Sequence, residues 1–258
     1  MTFQPPPASV GERAHALPVG EPLPAVPGDG LYRLFEIVVA SIALLVSLPI
    51  MLVVALLVRL DSPGPVLFVQ DRLARSRMVP GRELVGRDDL VPPPGGFEPD
   101  TLYYVPTTFR FVKFRTMYVD ARQRFPELYD YAYMKANHGG MYRLVEDPRV
   151  TRIGRHLRML TLDELPNFWN VLMGDMRLVG PRPEVPYVLS GYSPEQMLKF
   201  AVKPGITGLA QTNGRARLAL QEVVHYDLRY IHERRSVAYD LRILLRTVWL
   251  VLARQGAF

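Results

Sequence analysis

Residues 37–58 read IVVASIALLVSLPIMLVVALLV, and none of these 22 residues carries a charge. At about 1.5 Å per residue a straight helix of that length reaches about 33 Å, enough for a hydrocarbon core about 30 Å thick. Two features complicate a plain span. Pro49 lies mid-segment and removes a backbone hydrogen bond, while the hydroxyl of Ser47 can satisfy a freed carbonyl. Arg33 and Arg59 flank the stretch on both sides, so the positive-inside tendency does not assign the ends to opposite faces. The pattern admits a spanning helix and also a kinked segment that enters and leaves by one face.

Upstream, residues 1–30 hold seven of the 24 prolines and only scattered large apolar residues, and read as a disordered tail. Downstream the chain turns soluble. Ser62-Pro63-Gly64-Pro65 is a turn and Val66–Val69 a short strand. Residues 79–108 are rich in Pro, Gly and Asp and read as a long loop appended to the core. Residues 109–117 alternate like a strand, 119–136 look helical, and a helix is expected from about Thr161. Ser193-Pro194-Glu195-Gln196 has the form of a helix start, and further helices are expected at about 217–232 and 238–254. In the last of these, Leu241, Leu244, Leu245, Val248, Trp249 and Leu252 share one face. Arg242, Arg246 and Arg254 fall within an arc of about 120°. Such a helix suits a membrane interface, or docking onto a soluble core.

The predicted class is α+β, mainly helical with a few short strands. Its parts are the tail, a membrane helix over 31–60, and a domain over 61–258 with the insertion at about 79–108. The net charge of +6 and pI near 9.6 suit an anionic partner: nucleic acid, acidic lipid or a phosphorylated substrate. The chain has no cysteine, which excludes disulfides, thiolate catalysis and cysteine-bound clusters. No P-loop, zinc pattern or aromatic-basic strand signature supports nucleic acid.

The sharpest chemical feature is Asp163-Glu164. Thr161 is placed to cap a helix there, with Glu164 completing a capping box. Carboxylates at a positive helix end favour their ionised forms, and can bind a hard cation or attack phosphorus, though acidic residues also stand there simply as caps. Lys113 and Arg115, two apart on a strand, point to one face and can bracket a phosphate. Arg149, Arg152, Arg155 and Arg158 recur every third residue, a basic stripe if helical. Pro181-Arg182-Pro183 presents one arginine from a rigid turn, Gly205–Gly208 forms a second turn, and Gly214-Arg215 offers another cation. His138, His156, His225 and His232 show no ligand spacing.

In order along the chain stand Ser62-Pro63-Gly64-Pro65, Lys113-Phe114-Arg115-Thr116-Met117 and Leu162-Asp163-Glu164-Leu165-Pro166. Trp169-Asn170-Val171-Leu172, Gly174-Asp175-Met176, Leu178–Pro183 and Pro204–Leu209 follow. This ordered set, within about Leu31 to Leu252, resembles the bacterial sugar transferase family, the monotopic phosphoglycosyl transferases. The resemblance implies a re-entrant membrane helix broken at Ser47 and Pro49, with both ends cytosolic at the bacterial inner membrane. It implies transfer of a sugar 1-phosphate from a UDP-sugar to undecaprenyl phosphate, releasing UMP, as the first membrane step of exopolysaccharide or glycoconjugate assembly. Asp163 is then the nucleophile and a Mg²⁺ ligand, and Glu164 assists proton movement or metal placement. Lys113, Arg115, Arg158 and Arg182 contact phosphate, and Pro181 and Pro183 shape the nucleotide-binding loop.

Three departures stand out: the long link from Gln70 to Lys113, threonine at 161, and His232-Glu233-Arg234-Arg235-Ser236 where Asn-Trp-Ser is usual. With no further membrane bundle before the core, the chain looks like the minimal catalytic form. Membrane lipids are expected partners, and a homo-oligomer is compatible with the sequence. Composition alone also admits a non-catalytic membrane-anchored scaffold or a lipid diphosphate phosphatase.

Overall fold

The computed structural model describes residues 14–19, 26–129, 144, 146–214, 218–234 and 236–253. Two short strands open it, β1 (Ala14–His15) and β2 (Leu17–Pro18), followed by helix α1 (Asp29–Asp61). Strands β3 (Leu67–Leu73), β4 (Arg77–Pro80), β5 (Leu90–Val91), β6 (Leu102–Val105) and β7 (Thr108–Phe114) come next. Then follow helices α2 (Ala121–Arg124), α3 (Arg152–Met159) and α4 (Asn167–Met173), strands β8 (Arg177–Val179) and β9 (Gly205–Thr207), and helices α5 (Leu209–Asn213), α6 (Leu220–Glu233) and α7 (Val237–Leu252). The α+β class is as expected.

Helix α1 runs unbroken for 33 residues with Pro49 inside it, so the expected break at Ser47 and Pro49 does not interrupt the helix. The Ser47 hydroxyl donates to the Leu44 carbonyl at 3.4 Å, and Pro49 is exposed. By length and composition α1 is able to cross a membrane. Its buried residues Tyr32, Glu36, Ala40, Ser47, Val54 and Val58 recur at four- and seven-residue steps and form one stripe. Leu45, Val46, Leu52, Val53 and Leu56 face outward, each more than half exposed.

Both ends of α1 are tied to the body by charge. Near its start the wholly buried Glu36 accepts hydrogen bonds from Arg177 Nε (3.1 Å) and the Leu178 backbone N–H (2.9 Å). Arg33, expected only as a flanking charge, donates to the Val171 and Leu172 carbonyls at 2.8 and 3.2 Å and so satisfies the end of α4. Arg234, from the stretch that departs from the family pattern, joins Asp29 and Asp240 at 2.9 and 2.7 Å.

Strands β3 and β7 pair antiparallel in the register Leu67↔Phe114 to Leu73↔Thr108. Phe109 and Phe111 enter the central core with Val171, Met176, Leu178 and Val179. Strands β8 and β9 are parallel, Arg177↔Gly205 and Val179↔Thr207. Gly180 and Gly205 meet there backbone to backbone. A Cβ on Gly205 would lie 2.1 Å from the Gly180 nitrogen, so no larger residue fits. In α7, Asp240 and Ile243 are buried while Arg242, Leu245, Arg246, Val248 and Trp249 are exposed. The helix docks by one face and leaves an apolar face with arginines beside it uncovered.

Two segments differ from the sequence reading. The stretch 79–108 is not a loop: β4, β6 and β2 form one antiparallel sheet, and β5 pairs with β1. Leu84, Leu90 and Tyr103 are almost wholly buried with Tyr192, Met197 and Phe200. Residues 14–18, placed in a disordered tail, supply β1 and β2 and bury Ala16 in the same cluster. The strands in both pieces are two to four residues long and reach a core by pairing with each other and packing on Tyr192, Met197 and Phe200. Of the helix expected over 119–136, α2 and a 3₁₀ turn at Pro126–Tyr129 are observed; 130–136 lie outside the described residues. At the predicted start by Ser193 the reciprocal bonds are present, Ser193 N to Gln196 Oε1 at 3.0 Å and Gln196 N to Ser193 Oγ at 3.4 Å.

Because Tyr103 fills this second core, Tyr103→Ala should cost about 3–5 kcal/mol. Tyr103→Phe, which loses only the bond from the Glu98 N–H, should cost about 1 kcal/mol. Thermal or denaturant melts of the detergent-solubilised variants measure both.

Candidate active site

Asp163 lies in a 3₁₀ turn, Leu162–Glu164, between α3 and α4. Helix α3 is capped by Thr151, whose Oγ accepts from Gly154 N at 3.0 Å, and the chain reverses at Thr161. Thr161 has φ 57°, the only non-glycine in the left-handed region among the described residues. A β-branched residue there costs about 1–3 kcal/mol, a cost typically met at functional turns. The expected capping box is therefore absent. Thr161 makes no side-chain cap, and Glu164 is turned instead toward Arg182, with Oε1 2.9 Å from Nη2.

Asp163 is buried, and its charge acts on Lys113, Arg158 and Arg182. Lys113 leaves β7 on the same face as Phe111. Burial pushes its ammonium down to about 8, opposed chiefly by Asp163. Arg158, on α3, donates through Nε to Thr116 Oγ1 at 3.0 Å; burial lowers it, and Asp163 again opposes. Arg182 is raised by Glu164. Pro181 and Pro183 are buried and fix the turn that presents Arg182: the Pro181 carbonyl accepts from Gly205 N at 2.9 Å. The expected dyad, Lys113, Arg158 and Arg182 thus form one charged group.

Arg115 does not join them. Its guanidinium is buried and donates to the Pro65 carbonyl (2.6 Å), Ser62 Oγ (2.7 Å) and the Ser62 carbonyl (2.7 Å). It satisfies the end of α1 and holds the Ser62–Pro65 turn, because the strand ends at Phe114 and the alternation of faces no longer applies. The basic stripe also divides. Arg149 is buried on Asp147, Arg152 and Arg155 are exposed, and only Arg158 turns to Asp163. Arg215 lies outside the described residues.

A recess opens beside Glu164, lined by Arg72, Phe111, Lys113, Asn167, Arg182 and Pro183, with Gly205 and Ile206 across it. Sequence reasoning missed Arg72 and Asn167. Arg72 lies on β3 opposite Phe109, with its guanidinium 5.4 Å from the Phe111 ring centre, and it donates to the Pro183 carbonyl at 3.2 Å. Its signal was the β3–β7 register, which no single sequence displays. Asn167 follows Asp163 by one helical turn and is 1% exposed, yet its Oδ1 has no hydrogen-bond partner among the described residues. A buried acceptor left unpaired costs about 1–3 kcal/mol, which a bound hydroxyl, amide or water would recover.

Four cations against two carboxylates suit a polyanionic ligand. No cluster of three or more His, Asp or Glu among the described residues holds a metal by itself. A hard cation that takes one or two carboxylates and completes its shell with substrate phosphates nevertheless fits Asp163, with Glu164 beside it. A second, apolar groove runs between α1 (Pro49, Val53, Leu57) and α3 (Ile153, Leu157) with the following Leu160, reaching Leu162 next to Asp163.

The bacterial sugar transferase family model matches residues 29–79 and 104–254. A 150-residue stretch, 58% of this chain, is 44% identical to a galactosyl transferase, CpsE, of Streptococcus agalactiae, and covers 32% of that protein. A UDP-N-acetylgalactosamine-undecaprenyl-phosphate N-acetylgalactosaminephosphotransferase of Aeromonas hydrophila is 32% identical over 95% of the chain and 49% of its own length. A UDP-glucose:undecaprenyl-phosphate glucose-1-phosphate transferase of Caulobacter vibrioides is 34% identical over 93% of the chain and 76% of its own length. The chain spans less than half of the first two of these relatives.

Lys113 carries its full charge only below its lowered value of about 8. Affinity for inorganic pyrophosphate should therefore hold between pH 6 and 7.5, then fall by up to about tenfold per pH unit above 8. Lys113→Arg should move that decline to higher pH. Titration calorimetry across pH checks both.

Proposed function

We propose, from the premise that this chain belongs to the bacterial sugar transferase family, that it moves a sugar 1-phosphate from a UDP-sugar to undecaprenyl phosphate and releases UMP. The observation that carries the reading is a buried carboxylate, Asp163, set among Lys113, Arg158 and Arg182 at the foot of a long apolar helix. The names of several relatives, which specify UDP-sugars and undecaprenyl phosphate, support the choice of donor and acceptor.

In the first half-reaction a carboxylate oxygen of Asp163 attacks the phosphorus that bears the sugar, the bond to UMP breaks, and UMP leaves with the electron pair. In the second, an oxygen of the lipid phosphate attacks the same phosphorus and Asp163 is released. Phosphoryl transfer needs positioning and charge neutralisation more than special groups, and Lys113, Arg158 and Arg182 supply both. Arg182 grips the diphosphate from its proline-locked turn, and Glu164 orients Arg182 by their ion pair. Asp163, with Glu164 beside it, would hold Mg²⁺, which would supply charge neutralisation at the diphosphate.

Helix α1 seats the body on the bacterial inner membrane as a re-entrant element with both ends cytosolic, bent at Pro49. Exposed Leu245, Val248 and Trp249 of α7 enter the interface beside Arg242 and Arg246. Donor site and lipid headgroup then share one depth, which raises their effective concentration.

The central test is UMP release from UDP-glucose, UDP-galactose and UDP-N-acetylgalactosamine with undecaprenyl phosphate. Asp163→Asn should lower turnover about a thousandfold or more, and Glu164→Gln less. UDP-sugar without lipid should add one phosphosugar mass to the Asp163 peptide. Near-normal turnover by Asp163→Asn, or kinetics showing only a ternary complex, would overturn the covalent route. Excess EDTA should abolish activity. With no native cysteine, single cysteines at Ala25 and Asp88 should both resist an impermeant maleimide in intact cells. Labelling of position 25 alone would mean a true span.

A further inference from the structure

Lys199 is the most deeply buried cation away from Asp163. Its side chain has 0% exposure, and its Nζ lies 2.9 Å from Asp227 Oδ2 and 3.2 Å from Glu184 Oε1. Asp227, on α6, is itself 1% exposed. Glu184 ends the Pro181–Glu184 turn, and its carbonyl accepts from Leu73 N at 2.7 Å. Lys199 is thus the direct partner of both carboxylates, and without it Glu184 loses its ion pair. Arg182 stands two residues before Glu184, and its charge is coupled to both Glu184 and Asp227.

Arg182 is therefore drawn by two acidic sites, Glu164 in direct contact and Glu184 with Asp227 through their charge. Its hydrogen bond goes to Glu164. Without Lys199 the balance reverses, because an unpaired buried carboxylate draws the closest cation. We propose that Lys199 is a positioning residue: by pairing with Glu184 and Asp227 it leaves Arg182 to Glu164, where it can meet a diphosphate. This rests on the transferase reading for the ligand, though not for the charge balance. Tyr192 and Phe200 cover Lys199, their ring centres 5.4 and 5.5 Å from Nζ. Leu84, Leu90 and Tyr103 back those rings. Leu84 and Leu90 and Tyr103 all lie in 80–103, the stretch the family model leaves unmatched, so that stretch seals the lysine from water.

The test separates fold from positioning. Lys199→Met with Asp227→Asn removes both buried charges together, a change that buried pairs often tolerate, and leaves Glu184 free to capture Arg182. The purified full chain, its folding checked by thermal melt, is titrated with UDP. UDP should bind about tenfold more weakly or worse, and KM for the UDP-sugar should rise with it. Adding Glu184→Gln to the pair should restore affinity to within about threefold of wild type, because no carboxylate then competes. A folded double variant with wild-type affinity, or a triple variant no better than the double, overturns the proposal. If the wild-type chain releases no UMP in the donor screen, the transferase reading fails. If it does, and the double variant binds UDP unchanged, only the role of Lys199 fails.

Discussion

A single carboxylate, Glu36, sets the relation between the apolar helix and everything else. It is wholly buried in α1 and is met by Arg177 Nε, the Leu178 N–H and, at 3.6 Å, Arg33. A charge in that position is tolerable only when paired, and removing a partner costs about 3–5 kcal/mol. The pairing fixes both the rotation of α1 about its axis and its height against β8. Strand β8 leads directly into Gly180 and the turn that carries Arg182, so the setting of the anchor is also the setting of one wall of the recess.

At the far end of α1 the arrangement is mirrored with opposite sign. Arg115 caps the last turn and the Ser62–Pro65 corner, and Lys113 lies two residues before it, near the end of β7. A helix held at both ends by buried charge cannot slide along the body without breaking one of them. The charged recess is therefore kept at a constant distance from the outward apolar face of α1.

The apparent appendage at 79–108 is a second core. It joins strands from the N-terminal stretch, the insertion and the 3₁₀ turn at Gln196–Ala201 around Tyr103. Its Pro- and Gly-rich composition concealed this, since three strands of two to four residues give no period-2 signal long enough to read. Arg115 was misread for a related reason. Two residues apart on a strand means one face only while the strand lasts, and the sequence does not mark its end at Phe114.

The sequence by itself determined the long apolar helix, the acidic pair and the order of motifs, because each rests on local chemistry: an uncharged run, adjacent carboxylates, prolines that lock a turn. The resemblance carried by that order grouped Asp163 and Glu164 with Lys113, Arg115, Arg158 and Arg182, and the structure brings together all of these but Arg115. Only the tertiary structure decided that Arg115 serves α1, that Arg72 and Asn167 line the recess, and that Thr161 turns left-handed instead of capping. These depend on strand register, on which buried groups find partners, and on a fold that brings residues a hundred positions apart within a few ångströms. Such contacts are set by packing and by the cost of burying charge, and neither is written in any short stretch of chain.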